Sequence, residues 1–450
     1  MITTVPTTRT LEAYAPTTLP RTLTQSRRIR SVAVISVVDP YPADSGKKVV
    51  LDGFLSFLAD RVGAENVHYL LVGGRAADAP AGFPVVLHEL AGAPMREKLA
   101  SVFTRCTTGR SSLQEALTRS ATVQQAITET LRELDVDLEI YDTVRLGQYA
   151  DEHSRAHQVC YLDDLFSERY RMMLDWMRRH PEQDMQALGT FAEHVPGKLR
   201  KIADSPWVKR GLLAFEQRTI RRSETKAARR FATSVLVNER EAATLAERAT
   251  VDAERVQAVA PLVAESTTER DYTGAAEFAF VGLLSQPWNE DGLRSFTEQV
   301  WPELLRRRPD ARLRVIGKQA PQWLTDLAAA QPQNVILEGF VADLDSVLSS
   351  AAAMINPARF GTGVKIKVME ALGRSLPVVS SPLGADGVES GPGTGVLTPD
   401  TVEETVQELL RLTDVEENRL ESKAAAVHFA RRYRREAAFA GYSRAFGFEG

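Results

Sequence analysis

The stretch FGTGVKIKVMEALGRSLPVVSS, residues 360–381, says most about the fold of this chain. It reads as a glycine loop, then a helical pattern, then an apolar strand. Gly361 and Gly363 let the backbone approach a ligand closely, and free N–H groups at the start of the helix favour an anion such as a phosphate. Lys365 adds positive charge, and Glu370 lies further along the helix. These groups suit a nucleotide diphosphate, with positive charge for its phosphates and a carboxylate for its ribose hydroxyls.

Apolar runs alternate with helical patterns on both sides of this stretch. The strand candidates of the first half are Ser31–Val38, His68–Gly74, Val85–Leu90, Leu138–Val144, Gln158–Asp163 and Ser234–Glu239. Those of the second half are Ala279–Leu284, Leu313–Gly317, Val335–Glu338, Ala353–Asn356, Pro377–Ser380 and Gly395–Thr398. Strands that alternate with helices predict an α/β protein with a doubly wound parallel sheet in each half, both of them Rossmann-like.

The quoted stretch also resembles the donor-site signature of family-four (group 1) retaining glycosyltransferases of GT-B fold. Other similar segments are FVGLLSQPWNEDGLRSF from Phe280, RLRVIGK from Arg312, VILEGFVADLDSVLSSAAAMINP from Val335, and in the first half VVDPYPADSGKKVVLDGFLSFL and DDLFSERY. The resemblance implies two Rossmann-like domains facing a cleft. It also implies transfer of a sugar, with retention of configuration, from a nucleotide diphosphate sugar to an acceptor hydroxyl.

Composition is ordinary for a globular enzyme, with 44% hydrophobic and 25% charged residues. The net charge of −4 gives no general attraction to nucleic acid, so no nucleic-acid partner is expected. Two cysteines cannot form a disulfide framework, which favours a reducing cytosol. No apolar run approaches the roughly 20 residues of a membrane span.

Shifts in composition divide the chain into parts. We predict a flexible tail rich in Thr, Pro and Arg at 1–29 and an N-terminal acceptor domain at 30–245 with a long helical insertion at 167–231. A polar linker at 246–273 and a C-terminal nucleotide-sugar domain at 274–415 follow. In GT-B enzymes the last helix commonly crosses back to the first domain, so the resemblance implies the same for 416–450.

Residues 198–230 are strongly basic, with eleven Lys or Arg and three acids. Two interpretations stay open. The stretch either forms a surface for an anionic membrane or a phosphorylated acceptor, or is a solvated helix face whose apolar residues, such as Trp207 and Phe215, pack on the sheet.

For the donor, the resemblance implies that Glu370 contacts the ribose; the alternative is a surface acid paired with a lysine. A second family carboxylate falls on Thr362, whose hydroxyl can hydrogen-bond a sugar but brings no charge. Gly361, Thr362 and Gly363 would wrap the distal phosphate and the sugar. Lys365 would bind phosphate, whereas for Lys367 surface solvation is favoured.

Other donor residues come from the ends of strands. Lys318 falls where the family keeps a residue near the nucleotide, and Phe340 and Val341 match the loop that faces the base, although a simple strand-to-helix turn is an equal alternative. Gly46 resembles the loop glycine that closes over the diphosphate. The family often has a basic residue soon after its Phe-Val-Gly strand, but here none occurs before Arg294.

Asp163 and Asp164 end a strand of the first half, at the edge where open α/β sheets bind ligands. The family has a polar residue near the reacting sugar at the comparable place. One of the two is therefore our candidate catalytic residue, which would orient the sugar or accept the acceptor's proton. Alternatively, either residue caps the helix that starts near Phe166.

No metal-site pattern and no dinucleotide fingerprint occurs in the sequence, so we expect no metal and no cofactor besides the nucleotide-sugar co-substrate. The expected acceptor is a saccharide, a lipid-linked sugar or a natural product, and the expected location is the cytoplasm or the inner face of the membrane. Two other classes stay open: a nucleotide-sugar epimerase of similar fold, and a non-catalytic partner protein, which Thr362 in place of a carboxylate keeps in consideration.

Overall fold

The computed structural model describes residues 28–448 except 44–45, 75–82, 181–205, 267, 271 and 362–364. Most of the predicted tail and the middle of the predicted helical insertion therefore lie outside the described residues.

The first sheet has seven parallel strands among the described residues, in the order β3-β2-β1-β4-β5-β6-β7. The strands are β1 Val32–Ser36, β2 Val67–Val72, β3 Val86–Leu90, β4 Leu138–Asp142, β5 His157–Asp163, β6 Thr233–Leu236 and β7 Val256–Ala258. Central strands such as β1 and β4 are buried at every position, as expected for a parallel sheet covered by helices on both faces.

The helices of this half begin at α1 Gly46–Val62. They continue with α2 Met95–Ser101, α3 Leu113–Thr118, α4 Ala121–Leu134, α5 Thr143–Gly147, α6 Phe166–Arg179, α7 Pro206–Arg230 and α8 Glu239–Ala249. Short turns occur at Ala64–Asn66, Val102–Cys106 and Ala253–Arg255. Leu213 and Ile220 of α7 lie in the hydrophobic core with α6 and α8, so one side of this basic helix is firmly packed.

The second sheet has six parallel strands in the order β10-β9-β8-β11-β12-β13, again within the described part of the chain. They are β8 Glu277–Val281, β9 Arg312–Ile316, β10 Val335–Gly339, β11 Ala353–Asn356, β12 Val378–Ser380 and β13 Val396–Leu397. The helices are α9 Pro287–Gln299, α10 Trp301–Arg307, α11 Gln322–Ala330, α12 Leu344–Leu348, α13 Ile366–Leu372, α14 Val402–Arg411, α15 Val415–Arg432 and α16 Arg435–Phe446.

Each strand predicted from the sequence is present, and both sheets are parallel, so the predicted fold class is confirmed. One strand was missed. β7 pairs with β6 inside the segment 246–273 that the sequence analysis assigned to a linker. A three-residue edge strand of modest apolarity is too short to produce a recognisable pattern, and the structure assigns it to the first sheet.

The last helix, α16, lies against the first half of the chain. Phe439 contacts Phe57 of α1 with 5.1 Å between ring centroids, and Phe446 lies 6.0 Å from Phe54. α15 instead packs in the core of the second half through Ala425 and Phe429. The chain therefore returns to the first domain after completing the second. No helix in the described part of the chain is both long and apolar enough to cross a membrane.

Candidate active site

The two sheets face each other across a cleft at the carboxyl ends of their strands. A Cβ on Gly46, at the start of α1, would lie 3.2 Å from Cδ1 of Ile366, at the start of α13. The amide of Asn238, just after β6, donates to Asp386 over 3.1 Å, and Arg240 pairs with the same carboxylate at 2.7 Å. Because ligands of open α/β sheets bind at these edges, the facing ends define the candidate site.

The quoted glycine loop starts from an aromatic contact between the domains. Phe360 is 2% exposed and packs in the core of the first domain. Its ring centroid lies 5.3 Å from that of Trp176 on α6. The loop that follows is therefore anchored at Phe360 by the opposite domain, although Thr362 and Gly363 lie outside the described residues.

A group of charges, in which Asp142 is fully buried and Lys47 and Asp163 are partly exposed, lies at the ends of β4 and β5. Nζ of Lys47, in the first turn of α1, lies 2.6 Å from Oδ1 of Asp142 and 3.5 Å from Oδ2 of Asp163. The Ser36 hydroxyl donates to the other oxygen of Asp142 over 2.6 Å. Burial opposes the charge on Lys47, but Asp142 and Asp163 together raise its pKa. Lys47 is thus a fixed cation at the cleft.

Asp163 ends β5 with a positive φ of 71°, a conformation that is costly for a residue with a side chain and tends to occur at functional sites. The hydroxyl of Tyr161 donates to it over 3.2 Å. Burial raises the pKa of Asp163, Lys47 opposes that rise, and Asp164 and Asp142 add to it. Such a carboxyl group can exchange a proton nearer neutral pH than an ordinary aspartate.

Asp164 forms a buried ion pair with Arg169 of α6. The N-cap of α6 is Leu165, whose amide donates to Glu241, and the amide of Ser167 donates to Glu224. These amides at the start of α6 are therefore bound by carboxylates from α8 and α7, and the capping role considered for Asp163 and Asp164 is not seen at them.

Lys365 lies at the start of α13 and is buried. Burial and the nearby charge of Arg169 together lower its pKa to about 8, against the opposing effects of Asp164, Asp386 and Glu241. Three of these four groups belong to the first domain. The amino group of Lys365 therefore lies between the donor loop and the acid groups on the other side of the cleft.

Lys367 does not extend into solvent as the sequence suggested. Its Nζ donates to Oδ1 of Asn289 over 2.7 Å and lies 4.6 Å from the ring centroid of Phe280. Burial and the nearby charge of Lys365 together lower the pKa of Lys367 to about 7, against the opposing effect of Glu370. The surface-solvation interpretation is wrong because the side chain turns inward to Asn289 and to Phe280 of β8.

Glu370 lies on the same helix. Burial raises its pKa, and Arg374 and Lys367 oppose that rise. Among the described residues, Glu370 forms no ion pair within 4.0 Å of a lysine or arginine, so it is not the paired surface acid considered as its alternative.

The remaining donor candidates lie at the edge formed by β9 and β10. Nζ of Lys318 lies 4.3 Å over the ring of Phe340, which is 61% exposed. Val341 instead packs against the core of the second domain. The position before Lys318 accepts only glycine. A Cβ on Gly317 would lie 1.8 Å from the carbonyl oxygen of Gly282.

Three residues of this site, Lys47, Asp142 and Arg169, were not predicted from the sequence, and Lys367 was predicted to lie in solvent. Lys47 follows Gly46 and Asp142 ends a predicted strand, so position alone could have indicated both. The inward course of Lys367 and the Asp164–Arg169 pair depend on side-chain directions that no local pattern specifies.

Comparison with known proteins bears on the family of the second half and on the fold. Residues 275–414 match the family of group 1 glycosyl transferases. The C-terminal domain belongs to that family. The group 1 domain thus contains β8 to β13 together with Lys318, Lys365 and Glu370. A curated relative, an uncharacterized 44.6 kDa protein in the cps region of Klebsiella pneumoniae, is 28% identical over 120 residues, which cover 25% of this chain and 31% of that protein.

Solved structures resemble the chain over most of its length. HepE of Anabaena, in complex with UDP-glucose, is 13% identical with a TM-score of 0.59, covering 91% of this chain and 97% of HepE. WaaG, a glycosyltransferase involved in lipopolysaccharide biosynthesis, is 14% identical with a TM-score of 0.55, covering 92% and 100%. The sucrose-phosphate synthase of Thermosynechococcus elongatus is 14% identical with a TM-score of 0.62, covering 92% and 97%. The chain therefore has the GT-B fold.

Proposed function

We propose that the whole chain is a metal-independent hexosyltransferase that moves a sugar from a nucleotide diphosphate sugar to an acceptor hydroxyl with retention. The observation that carries this proposal is the group 1 domain, whose Lys365 and Glu370 lie on one helix at the cleft, opposite Asp163 and Asp164. HepE, of the same fold, was solved with UDP-glucose, which supports a nucleotide sugar as donor.

The donor would lie along the edge of the second sheet. Lys365 and the first turn of α1, a 17-residue helix that starts at Gly46, supply positive charge for the diphosphate. Glu370 accepts hydrogen bonds from the ribose hydroxyls, and the exposed ring of Phe340 offers a face to the base, with Lys318 beside it. These groups do the work that a divalent cation performs in other transferases.

In the reaction, the acceptor oxygen attacks the anomeric carbon from the face on which the diphosphate leaves. The bond from that carbon to the diphosphate oxygen breaks, and the acceptor's proton passes to the departing phosphate. Lys365 stabilises the charge that develops on the leaving group. Asp163, fixed by Lys47 and Tyr161, orients the reacting sugar, or receives this proton in place of the phosphate.

The acceptor is best sought among saccharides of cell-surface glycans, including lipid-linked ones, with natural products as a further class. A relative encoded in a cps region and the lipopolysaccharide role of WaaG support a polysaccharide pathway in the cytoplasm or at its membrane.

A basic face of α7 supports contact with an anionic membrane. Five exposed cations of α7 and one residue of α8 line a shallow groove of about 700 Å³: Arg218, Arg221, Arg222, Lys226, Arg229 and Arg248. Among the described residues, no carboxylate lines this groove. Trp207, at the start of the same helix, is 80% exposed, and aromatic rings of this kind enter the headgroup region.

The test is a screen of nucleoside diphosphates and their sugars by thermal shift, since a ligand of the folded state raises the melting temperature, followed by assays with saccharide acceptors. Transfer that persists in excess EDTA supports the proposal, and a complete loss that Mg²⁺ or Mn²⁺ restores contradicts metal independence. Turnover of the donor without an acceptor would instead indicate an epimerase. Binding without any turnover would indicate a non-catalytic partner protein.

A further inference from the structure

The carboxyl end of β8 receives a cation from a distant part of the chain. No lysine or arginine follows β8 before Arg294. Lys367 of α13 reaches this place instead, since a Cβ on Gly282, directly after β8, would lie 3.1 Å from its Nζ. The ammonium also lies 4.6 Å from the ring of Phe280 in β8. α13 thus supplies the positive charge that the loop after β8 lacks.

The protein groups around this ammonium leave its charge largely uncompensated. Its hydrogen-bond acceptor is the neutral amide of Asn289, which is itself held by donation from Nδ2 to the carbonyl of Leu283 over 2.9 Å. Lys365 adds a second positive charge nearby, and Glu370 contributes the opposing negative charge. In the part of the chain that the structure describes, Lys367 forms no ion pair within 4.0 Å. A half-buried ammonium in these surroundings favours an anion beside it.

Resting on the proposed function, we infer that Lys367 binds the diphosphate of the donor and takes the place of a basic residue after β8. The anion lies between Lys365 and Lys367, at the end of β8 that faces α1. Transfer of the sugar increases the negative charge on this diphosphate, so the same contact stabilises the leaving group.

Anion binding at Lys367 would change proton uptake in a way that a purely structural lysine would not. Burial lowers the pKa of Lys367 to about 7, so the ligand-free side chain is largely neutral at pH 8. A bound anion favours the charged form and raises this pKa. Binding at pH 8 therefore takes up protons, and affinity falls as the pH rises through 7 toward the pKa of the complex.

The experiment is titration calorimetry. The wild-type protein is first titrated with UDP, ADP, GDP, CDP and TDP, and the diphosphate that binds most tightly is then titrated in HEPES and in Tris at pH 8. The two buffers differ in ionisation enthalpy, so together they report proton uptake. Lys367→Met should weaken binding about tenfold to a hundredfold, the effect of losing a charged hydrogen bond, and should reduce proton uptake. Lys423→Met, on the exposed face of α15, is the matched control and should leave both unchanged.

A second variant separates charge from packing. Leu283→Arg, added to Lys367→Met, restores a cation directly after Gly282 and should recover a substantial part of the affinity. Unchanged affinity and proton uptake in Lys367→Met would overturn the inference, as would a loss that Leu283→Arg does not lessen. If wild type binds none of the five diphosphates, the proposed function itself fails, which is a distinct result.

Discussion

The ammonium of Lys47 lies between two carboxylates, Asp142 and Asp163, which end neighbouring strands of the first sheet. Asp142 is fully buried and also accepts from Ser36. Each charge is thus compensated by its neighbours. This compensation stabilises the fold, since a buried charge without a partner is strongly destabilising. Of the two carboxylates, Asp163 is the one that keeps an exposed part, which makes it the acid group available to a substrate.

Asp163→Asn should lower kcat by about a hundredfold to ten-thousandfold, the usual contribution of a positioned acid or base. The affinity for a nucleoside diphosphate should change little, since Asp163 is assigned to the reacting sugar and not to the diphosphate. In wild type, the pKa of Asp163 is raised, mainly by burial. If the ionised form is active, kcat falls as the pH drops through this raised pKa, above the usual range of aspartate.

The measurement is a pH–rate profile of both proteins, with Asp135→Asn, in the turn after α4, as control. A profile of Asp163→Asn that keeps the acid limb and the full rate would remove Asp163 from the mechanism.

Glu370→Ala should weaken nucleoside diphosphate binding by about 1–3 kcal/mol, the effect of losing a charged hydrogen-bond partner. Titration calorimetry measures it, with the exposed Glu416→Ala as control. The fold should survive, because Glu370 forms no ion pair among the described residues. Equal affinity in both variants would end the ribose assignment.

At the level of elements, hydrophobic patterning predicted the strands of both sheets because the buried strands are rich in apolar residues, which form nearly continuous runs in β1 and β8. The same patterning predicted neither β7, which is too short, nor the direction of Lys367. The sequence therefore predicted the elements and the strand ends that carry polar groups. It could not predict contacts such as that of Lys367 with Asn289, which join residues far apart in the chain.

The basic face of α7 should bind anionic vesicles at low salt and release them at high salt. Each exposed arginine near such a surface contributes about 1 kcal/mol. Replacing Arg218, Arg221 and Arg222 together with Gln should therefore weaken binding about a hundredfold. Liposome co-sedimentation with anionic and neutral lipids provides the measurement.

The control replaces three exposed arginines of the second domain with Gln: Arg306, Arg312 and Arg419. It changes net charge equally and should bind as wild type. Negligible wild-type binding under every condition, or an equal loss in both triple variants, would favour the solvated-face interpretation and a soluble acceptor.

At the scale of the whole molecule, the two domains contact each other both at the cleft and through the last helix. Arg240 pairs with Asp386 across the cleft, and Trp176 packs on Phe360 beside the donor loop. Far from these contacts in sequence, α16 adds Phe439, Tyr442 and Phe446 to the core around α1. The helix that starts at Gly46 in the cleft is therefore supported by the end of the chain.

Phe439→Ala tests this support. Its ring lies 5.1 Å from that of Phe57, and truncating a buried phenylalanine costs about 3–5 kcal/mol. Because the cavity opens beside α1, hydrogen exchange should accelerate in α1 and in the first sheet, while β8 to β13 keep their protection. Leu420→Ala, an exposed position on α15, should change neither. If both sheets of Phe439→Ala lose protection equally, the two domains unfold as one unit. If neither sheet loses protection, α16 does not stabilise the first domain.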